Sequence, residues 1–250
     1  MHKPLTKTQI AIINNRSLFQ NKVKSVSDGM GKTERAIKKS INIKLGNTVL
    51  KGRLKGAKIY TLTLEERKTC PRDCFHYENC FANNMPFATR YTFDAALLEQ
   101  IEKDIIYYND KGKAFLVRLH ILGDFPSEEY VEFWNALLER YEHLNIYGYS
   151  ANQLETPIGE ALDNMRDVWG LRFMVRISGD TKTDSMAALS FDDVSARAQI
   201  ETKKAFICPA QITHKGATTI AKKTEKTMSA NCGTCTLCWT TKLNPIFLTH

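Results

Sequence analysis

The residues of this chain best suited to chemistry are its cysteines. Cys232, Cys235 and Cys238 are separated by two residues each, and a fourth, Cys208, precedes a proline. Two-residue gaps in a tight turn let successive thiolates point at one centre, and Gly233 permits the positive φ that such a turn often needs. The spacing therefore predicts a metal or cluster site formed by these four cysteines.

The order of these ligands bears on which metal they would hold. Structural zinc is usually bound by two cysteine or histidine pairs, one from each of two turns. Three closely spaced cysteines with one remote Cys-Pro are instead typical of cuboidal iron–sulfur clusters. The pattern favours a [4Fe–4S] cluster, with zinc as the alternative.

A second set of cysteines, Cys70, Cys74 and Cys80, occupies one short segment. Three protein ligands on a four-iron cube leave one iron open to a substrate or cofactor, whereas four ligands close it. The two sets therefore predict one reactive and one auxiliary cluster. Two alternatives stay open: a single cluster with spare thiols, and a zinc site in which His76 is the fourth ligand.

The elements that must position these residues alternate between strands and helices. Apolar runs and helical periodicity predict strands at 58–64, 114–122, 145–150, 171–177 and 204–207, helices at 94–108, 127–141 and 158–167, and an irregular segment with a short helix at 181–204. Such alternation is typical of a parallel sheet with ligands at the carboxyl ends of its strands. We therefore expect an α/β fold, a partial (β/α) barrel or an open parallel sheet, with a C-terminal cysteine-rich metal site.

Polar residues and glycines follow two of these predicted strands. The candidates for acid–base catalysis are His120, Asp124 and Asp180. The candidates for cofactor binding are Gly123, Ser178 and Gly179, where a ribose hydroxyl could be bound close to the backbone. The alternative is structural, with His120 hydrogen-bonded inside the sheet and Asp124 capping the next helix.

The first part of the chain has a different character from the rest. We predict a basic extension over residues 1–57, with helices at 6–20 and 33–39 and a β-hairpin of 41–45 with 48–54. Residues 58–250 are predicted to form the α/β domain with the cysteine sites.

The positive charge of the chain is concentrated in the same extension. The chain has a net charge of +8, and residues 1–58 hold fourteen Lys or Arg against two acidic residues, whereas the remainder is net acidic. Such an excess attracts polyanions, and nucleic acid, DNA or RNA, is the predicted partner. A solvated basic surface without a specific partner is the alternative.

Other features of the composition exclude several protein classes. No apolar run reaches the roughly 18 residues of a membrane span, and the N-terminus lacks the apolar core of a signal peptide. We therefore expect a cytoplasmic protein without membrane partners. Seven cysteines in that compartment favour metal or redox chemistry over a disulfide framework.

From about residue 61 to 250, the sequence resembles a family of uncharacterised phage and prophage proteins. The stretches that carry this resemblance are Thr69-Cys70-Pro71, Asn83 to Ala88, Arg118 to His120, Leu122 to Phe125, Cys208 to Gln211, Cys232 to Cys235 and Leu237 to Trp239. The resemblance implies a phage origin, hence the cytoplasm of the host cell, and a metal site.

In architecture the sequence also resembles radical S-adenosylmethionine (SAM) enzymes, whose pattern is Cys-x3-Cys-x2-Cys after the first strand of a partial barrel. Cys70 and Cys74 match the first gap, whereas Cys80 follows after five residues. This resemblance implies that Cys70, Cys74 and Cys80 hold a SAM-binding cluster and that the C-terminal cysteines hold an auxiliary one.

Three functional hypotheses follow. The first is a phage iron–sulfur protein that binds or modifies nucleic acid, in the manner of a radical SAM enzyme. The second keeps the fold but has structural zinc, with Asp124 or Asp180 as nucleophile or base in a base-exchange or glycosylase-type DNA modification. The third is a non-catalytic, metal-stabilised module that binds nucleic acid.

Overall fold

The computed structural model describes residues 4–29, 34–179, 187–191, 205–210 and 230–248. The helices are α1 (Lys7–Ile13), α2 (Ala95–Asn109), α3 (Glu128–Arg140), α4 (Pro157–Trp169), α5 (Cys232–Cys235) and α6 (Leu237–Thr240). The strands are β1 (Val23–Lys24), β2 (Lys38–Lys39), β3 (Lys58–Thr61), β4 (Arg90–Tyr91), β5 (Phe115–Leu119), β6 (Leu144–Ser150), β7 (Phe173–Gly179), β8 (Ala187–Phe191), β9 (Ala205–Ile207) and β10 (Asn244–Leu248).

The central sheet has the strand order β2-β3-β5-β6-β7-β8-β10-β9 in the described residues. All of its pairings are parallel except that of β2 with β3. From β3 to β8 each new parallel strand is added on the same side, so right-handed connections place the intervening helices on one face. The predicted α/β class with a mostly parallel sheet is confirmed, and this strand order does not close into a barrel.

Successive side chains of a strand point to opposite faces of the sheet, and the helices α2, α3 and α4 pack on one of these faces. Asp94, Ser127 and Thr156 cap α2, α3 and α4, each accepting a hydrogen bond from a backbone N–H in the first turn. The main core combines helix residues with strand residues of this face: Leu97, Ile101, Ile105, Trp134, Leu138, Leu162, Val117, Leu119, Ile146 and Val175. This core positions the carboxyl ends of β5, β6 and β7.

The opposite face of the sheet has no long helix among the described residues. A second core forms there from Ile59, Leu116, Tyr147 and Met174 of the strands and from Val49, Leu54, Cys238 and Trp239. Residues 230–241, which we call the cysteine segment, therefore lie across this face. The sequence analysis expected their site at the carboxyl ends of the strands. It missed the position on the face because a sequence pattern does not tell on which side of a sheet a returning segment packs.

The extension before residue 58 differs from its prediction in local structure. Helix α1 forms within the predicted range 6–20, and Thr6 closes a capping box with Gln9. The predicted helix is wrong for residues 34–39, because Ala36 and Ile37 are buried in the core and β2 pairs with β3. The predicted hairpin of 41–45 with 48–54 is also wrong. Gly46, Gly52 and Gly56 adopt positive φ and divide the segment into turns.

Candidate metal centre

Four cysteines of the C-terminal region line one pocket. Cys232 and Cys235 begin and end α5, Cys238 lies in α6, and Cys208 directly follows β9. Asn231 closes a capping box with Thr234, and Thr236 turns the chain between the two helices with a φ of 64°. The four cysteines share the pocket lining with Phe206, Leu237 and Trp239. The four cysteines therefore line one pocket, and their role as metal ligands stays a prediction.

The thiols of this pocket are close enough to act on one another electrostatically. Burial raises the pKa of Cys232 to about 12, and the neighbouring Cys238 and Cys208 add to the increase. Burial also raises the pKa of Cys238, with Cys235 adding to it. Such thiols stay protonated unless a nearby positive charge compensates the thiolates, and a metal centre supplies that charge.

The sheet beneath the pocket presents hydrogen-bond donors. The Tyr149 hydroxyl donates to Sγ of Cys238 over 3.0 Å. Buried Arg176 donates from Nε and Nη2 to the Cys238 carbonyl over 3.3 and 3.2 Å, and from Nη2 to the Thr241 carbonyl over 2.8 Å. The Arg118 guanidinium lies 4.2 Å from the centre of the Tyr149 ring. These contacts fix α6 to β6 and β7 and leave positive charge beside the sulfurs.

Several buried donors in the same place have no acceptor among the described residues. They are Nε of Arg118, Nη1 of Arg176 and Nε1 of Trp239. Tyr147, whose hydroxyl lies against the Cys232 thiol, is packed on Trp239 with ring centres 4.7 Å apart. Buried donors are normally satisfied, so a cluster of three requires a reason. A negatively charged group with acceptor atoms, bound at the cysteines, fits this environment.

Two measures of the pocket bear on the kind of group that it could hold. Within the described ranges, no three His, Cys, Asp or Glu side chains are grouped as ligands of one metal ion. The enclosed space is about 10 Å³, which is close to the room that one water needs. The lack of grouped ligands disfavours a single ion in this arrangement. The small volume means that the thiols must turn outward to admit a larger cluster.

The cysteine segment is held from its outer side by residues 44–50. The N–H groups of Cys232 and Gly233 donate to the carbonyls of Lys44 and Leu45 over 3.0 and 3.1 Å, and Leu50 donates to the carbonyl of Gly233 over 2.9 Å. A Cβ on Gly233 would lie 2.2 Å from the Thr48 carbonyl oxygen. Gly233 thus permits close backbone approach, and the predicted positive φ belongs instead to Thr236.

The second set of cysteines lies at the carboxyl edge of the sheet. Burial raises the pKa of Cys70 well above its usual value and that of Cys74 to about 11, and in both cases Asp124 adds to the increase. Burial likewise raises the pKa of Cys80, which Arg67 opposes. The three thiols therefore lie close to one another, and Cys70 and Cys74 also lie close to Asp124. The structure places this set at an edge and the other set on a face.

Buried charged residues that the sequence analysis missed hold the loop of this second set. Arg90 pairs with Glu66 over 2.7 Å and donates to the carbonyls of Ala82, Met85 and Ala88. Arg67 donates to the Tyr77 carbonyl and to Oδ1 of Asn83. In the sequence, only the adjacent charged residues at 65–67 pointed to this arrangement. Because charged residues are ordinarily exposed, the sequence did not indicate that these are buried.

Asp124 is a junction between three segments. It is 4 % exposed. Its carboxylate accepts hydrogen bonds from Ser150 Oγ and from the N–H groups of Phe125 and Ala151, at 2.7, 2.7 and 2.6 Å. Burial raises its pKa to about 6 against the effect of these donors. This geometry supports a positioning role more than that of a nucleophile.

Gly123 and His120 lie beside this junction. A Cβ on Gly123, which has a φ of 80°, would meet Leu64 and Thr69 at 2.6 Å, so a side chain there is excluded. Nε2 of His120 contacts the Tyr130 hydroxyl over 3.1 Å, and Nδ1 has no partner among the described residues. Burial, together with Arg118, lowers the pKa of His120 to about 3, so its imidazole is neutral.

The remaining candidates are spread out. Ser178 and Gly179 pair with β8, and the Ser178 carbonyl accepts a hydrogen bond from Gln153 over 3.0 Å. His76 is exposed and contacts the ring of Phe75. Asp180 lies outside the described residues. The catalytic and cofactor roles of these residues, of His120 and of Gly123 stay predictions.

Comparison with known families matches residues 32–241 to the family described as Gene product 88. The chain belongs to this family. The match supports the predicted phage-type origin and spans all seven cysteines. No curated protein and no solved structure matched. The resemblance to radical SAM enzymes therefore rests only on the spacing of Cys70 and Cys74.

None of the helices in the described part of the chain is both long enough and apolar enough to cross a membrane.

The close contact at Gly233 gives a stability prediction. We expect Gly233→Ala to lower the free energy of unfolding by more than 2 kcal/mol, about the upper end of ordinary point mutations, because its Cβ meets backbone. Gly52→Ala is the matched control, since Gly52 has a φ of +72° but nothing within 4 Å, and about 1 kcal/mol is expected there. Denaturant unfolding of both variants measures the difference, and equal costs would contradict the docking of residues 44–50.

Proposed function

We propose that this Gene product 88 protein is an iron–sulfur protein that acts on nucleic acid. In this proposal Cys208, Cys232, Cys235 and Cys238 hold a [4Fe–4S] cluster. The observation that supports it is that four buried or half-buried cysteines line one pocket beside buried donors of Arg118, Arg176 and Trp239 that have no acceptor among the described residues. Sulfur atoms of a cluster and of its thiolates accept such hydrogen bonds.

The charges around the pocket support an anionic occupant. Four thiolates around a cuboidal cluster leave a net negative charge, which is costly to bury alone. Arg176 is fully buried, and neither it nor Arg118 forms an ion pair with a carboxylate of the described residues. Two guanidinium groups beside the sulfurs would supply the balancing charge.

Zinc is the second candidate for the same four ligands. The observation in its favour is the size of the pocket, because a space of about 10 Å³ is closer to that of one ion than of a four-iron cluster, although the thiols would have to regroup to bind it. A zinc ion bound to four thiolates would stabilise the fold without redox chemistry. The base-exchange or glycosylase hypothesis would then need a nucleophile, and the hydrogen bonds to Asp124 disfavour that residue.

The edge set, Cys70, Cys74 and Cys80, would hold a second cluster. When bound, that cluster would supply an iron with an open coordination position for a substrate or for SAM. Asp124 lies near Cys70 and Cys74, where it would position the loop. Cleavage of SAM on reduction would support an enzyme, whereas a cluster without this reaction would support a binding module.

The partner in this proposal is nucleic acid. Fewer basic residues are available to bind it than the fourteen Lys and Arg of residues 1–58 implied. Arg16, Arg35, Lys38, Arg53 and Lys58 donate hydrogen bonds to protein acceptors. Lys39, Lys44, Lys51 and Lys55 are exposed. They flank the strand and turns that hold the cysteine segment, so a bound phosphate backbone would lie close to the proposed cluster.

Metal analysis tests the proposed cluster. We expect anaerobically purified protein to be brown, with absorbance near about 400 nm and roughly four irons per cluster. Cys238→Ser is expected to remove the face cluster and to leave the edge cluster. Cys70→Ser, the reciprocal control, should remove only the edge cluster. Colourless protein with one equivalent of zinc would support the zinc site in place of the cluster. Folded protein without metal would refute both the cluster and the zinc site.

Salt dependence tests the lysines. We expect Lys51→Gln with Lys55→Gln to weaken nucleic-acid binding and to reduce the slope of log K against log salt. The reduction should be about 1.8 for duplex DNA or about 1.4 for single strands. Lys103→Gln with Lys111→Gln, exposed at or just beyond α2, is the control and should leave the slope unchanged. Fluorescence anisotropy across salt concentrations measures both, and equal slopes for the two double variants would exclude this surface.

A further inference from the structure

We infer that residues 40–46, which we call the isoleucine turn, insert Ile41 and Ile43 into the minor groove of duplex DNA and bend the duplex. This inference rests on the nucleic-acid part of the proposed function and requires no metal. It names the class of nucleic acid, which the exposed lysines alone leave open. It also assigns a role to two apolar side chains that lie outside the core.

The apolar side chains of the isoleucine turn are open to solvent. Ile41 is 98 % exposed and Ile43 is 73 % exposed, and Leu50, further along the same segment, is 49 % exposed. Isolated apolar side chains are common on protein surfaces. Two isoleucines within three residues, one of them almost fully exposed, gain little from folding and would gain much from being covered. The turn is therefore suited to contact with a partner.

Hydrogen bonds fix the isoleucine turn before any partner binds. The N–H groups of Leu45 and Gly46 donate to the Asn42 carbonyl over 3.1 and 2.9 Å. The N–H of Lys44 donates to Oδ1 of Asn42 over 2.9 Å. Leu45 is buried, and its carbonyl accepts a hydrogen bond from the Gly233 N–H over 3.1 Å. Because the turn is already ordered, insertion of its side chains costs little conformational entropy.

The charge around the isoleucine turn indicates a polyanionic partner. Residues 35–64 contain eight Lys or Arg and no Asp or Glu. Lys39 and Lys44, which lie on either side of the two isoleucines in the chain, are exposed. A second copy of the protein bound through the same surface would bring like charges together, which disfavours self-association there. Phosphates on both sides of an apolar wedge match this order of basic and apolar side chains.

The type of apolar side chain distinguishes duplex from single-stranded nucleic acid. Single strands are bound by aromatic side chains on which bases stack, and residues 39–55 contain no aromatic residue. Aliphatic side chains act instead as wedges between the base steps of a duplex, which they enter from the minor groove and kink. The major groove admits a helix or a two-stranded ribbon, and residues 40–46 form neither.

Bending of a short duplex by the full-length protein tests this role. An A·T-rich duplex of about 24 base pairs carries a donor and an acceptor dye at its two ends, and a rise in energy transfer on binding reports the bend. We expect Ile41→Ser with Ile43→Ser to remove most of this rise and to weaken binding about tenfold. The slope of log K against log salt should stay unchanged, because no charge is lost.

The matched control is Ile10→Ser with Ile13→Ser. These isoleucines of α1 are 45 % and 60 % exposed, and their replacement should change neither the energy transfer nor the affinity. Substitutions at exposed positions leave the fold intact, so both double variants are measurable. Netropsin, a ligand of the minor groove of A·T-rich duplexes, should suppress the rise in energy transfer. Bending that netropsin leaves unchanged would overturn insertion into the minor groove.

The outcomes separate the inference from the proposed function. Protein that binds neither duplex nor single strands refutes the nucleic-acid partner. Protein that binds nucleic acid but prefers single strands, or that binds and bends the duplex equally with and without the two isoleucines, overturns the inference alone. Vesicles of phosphatidylserine and phosphatidylcholine test the rival polyanionic surface. Binding to them that Ile41→Ser with Ile43→Ser removes, without bending of the duplex by wild type, would assign the turn to lipid and overturn the inference.

Discussion

The structure depends on the contact between the cysteine segment and the sheet face that the long helices leave uncovered. The parallel strands β3, β5, β6 and β7 each send one half of their residues to this face, and apolar strand residues there would be exposed without a cover. Trp239 and Cys238 supply that cover together with Val49 and Leu54. Because the segment also bears three of the cysteines, the contact that covers this face also places those cysteines beside the sheet.

This arrangement explains why residues 34–57 are not a free arm. They contribute β2 to the sheet edge and then bind the backbone of α5 from outside, so the basic residues are fixed next to the cysteines. Gly46 and Gly233 make that approach possible, because a side chain on either would collide with Asn231 or with the Thr48 carbonyl. The basic residues and the C-terminal cysteines are therefore close in the fold, although they are far apart in the chain.

The sequence predicted most of the regular elements, because strands buried on both sides read as apolar runs. The metal-binding role of the two-residue cysteine spacing stays a prediction. The prediction failed where tertiary packing overrides local sequence preference. Asn244-Pro245 begins the inner strand β10, although proline is disfavoured in inner strands. Residues 187–191 form β8, where an irregular segment was predicted. The pairing of Glu66 with Arg90 was equally hidden, because a buried ion pair has no pattern along the sequence.

The two cysteine sets differ in how open their surroundings are. The face set is covered by residues 44–50 on one side and by Tyr147, Tyr149 and Arg176 on the other, which leaves little space for a substrate. The edge set adjoins Asp124 at the carboxyl ends of β5 and β6, where parallel sheets bind ligands, and its loop exposes Phe75, Phe81 and Phe87. The edge set is therefore the more open of the two to a ligand, and the face set is the more enclosed.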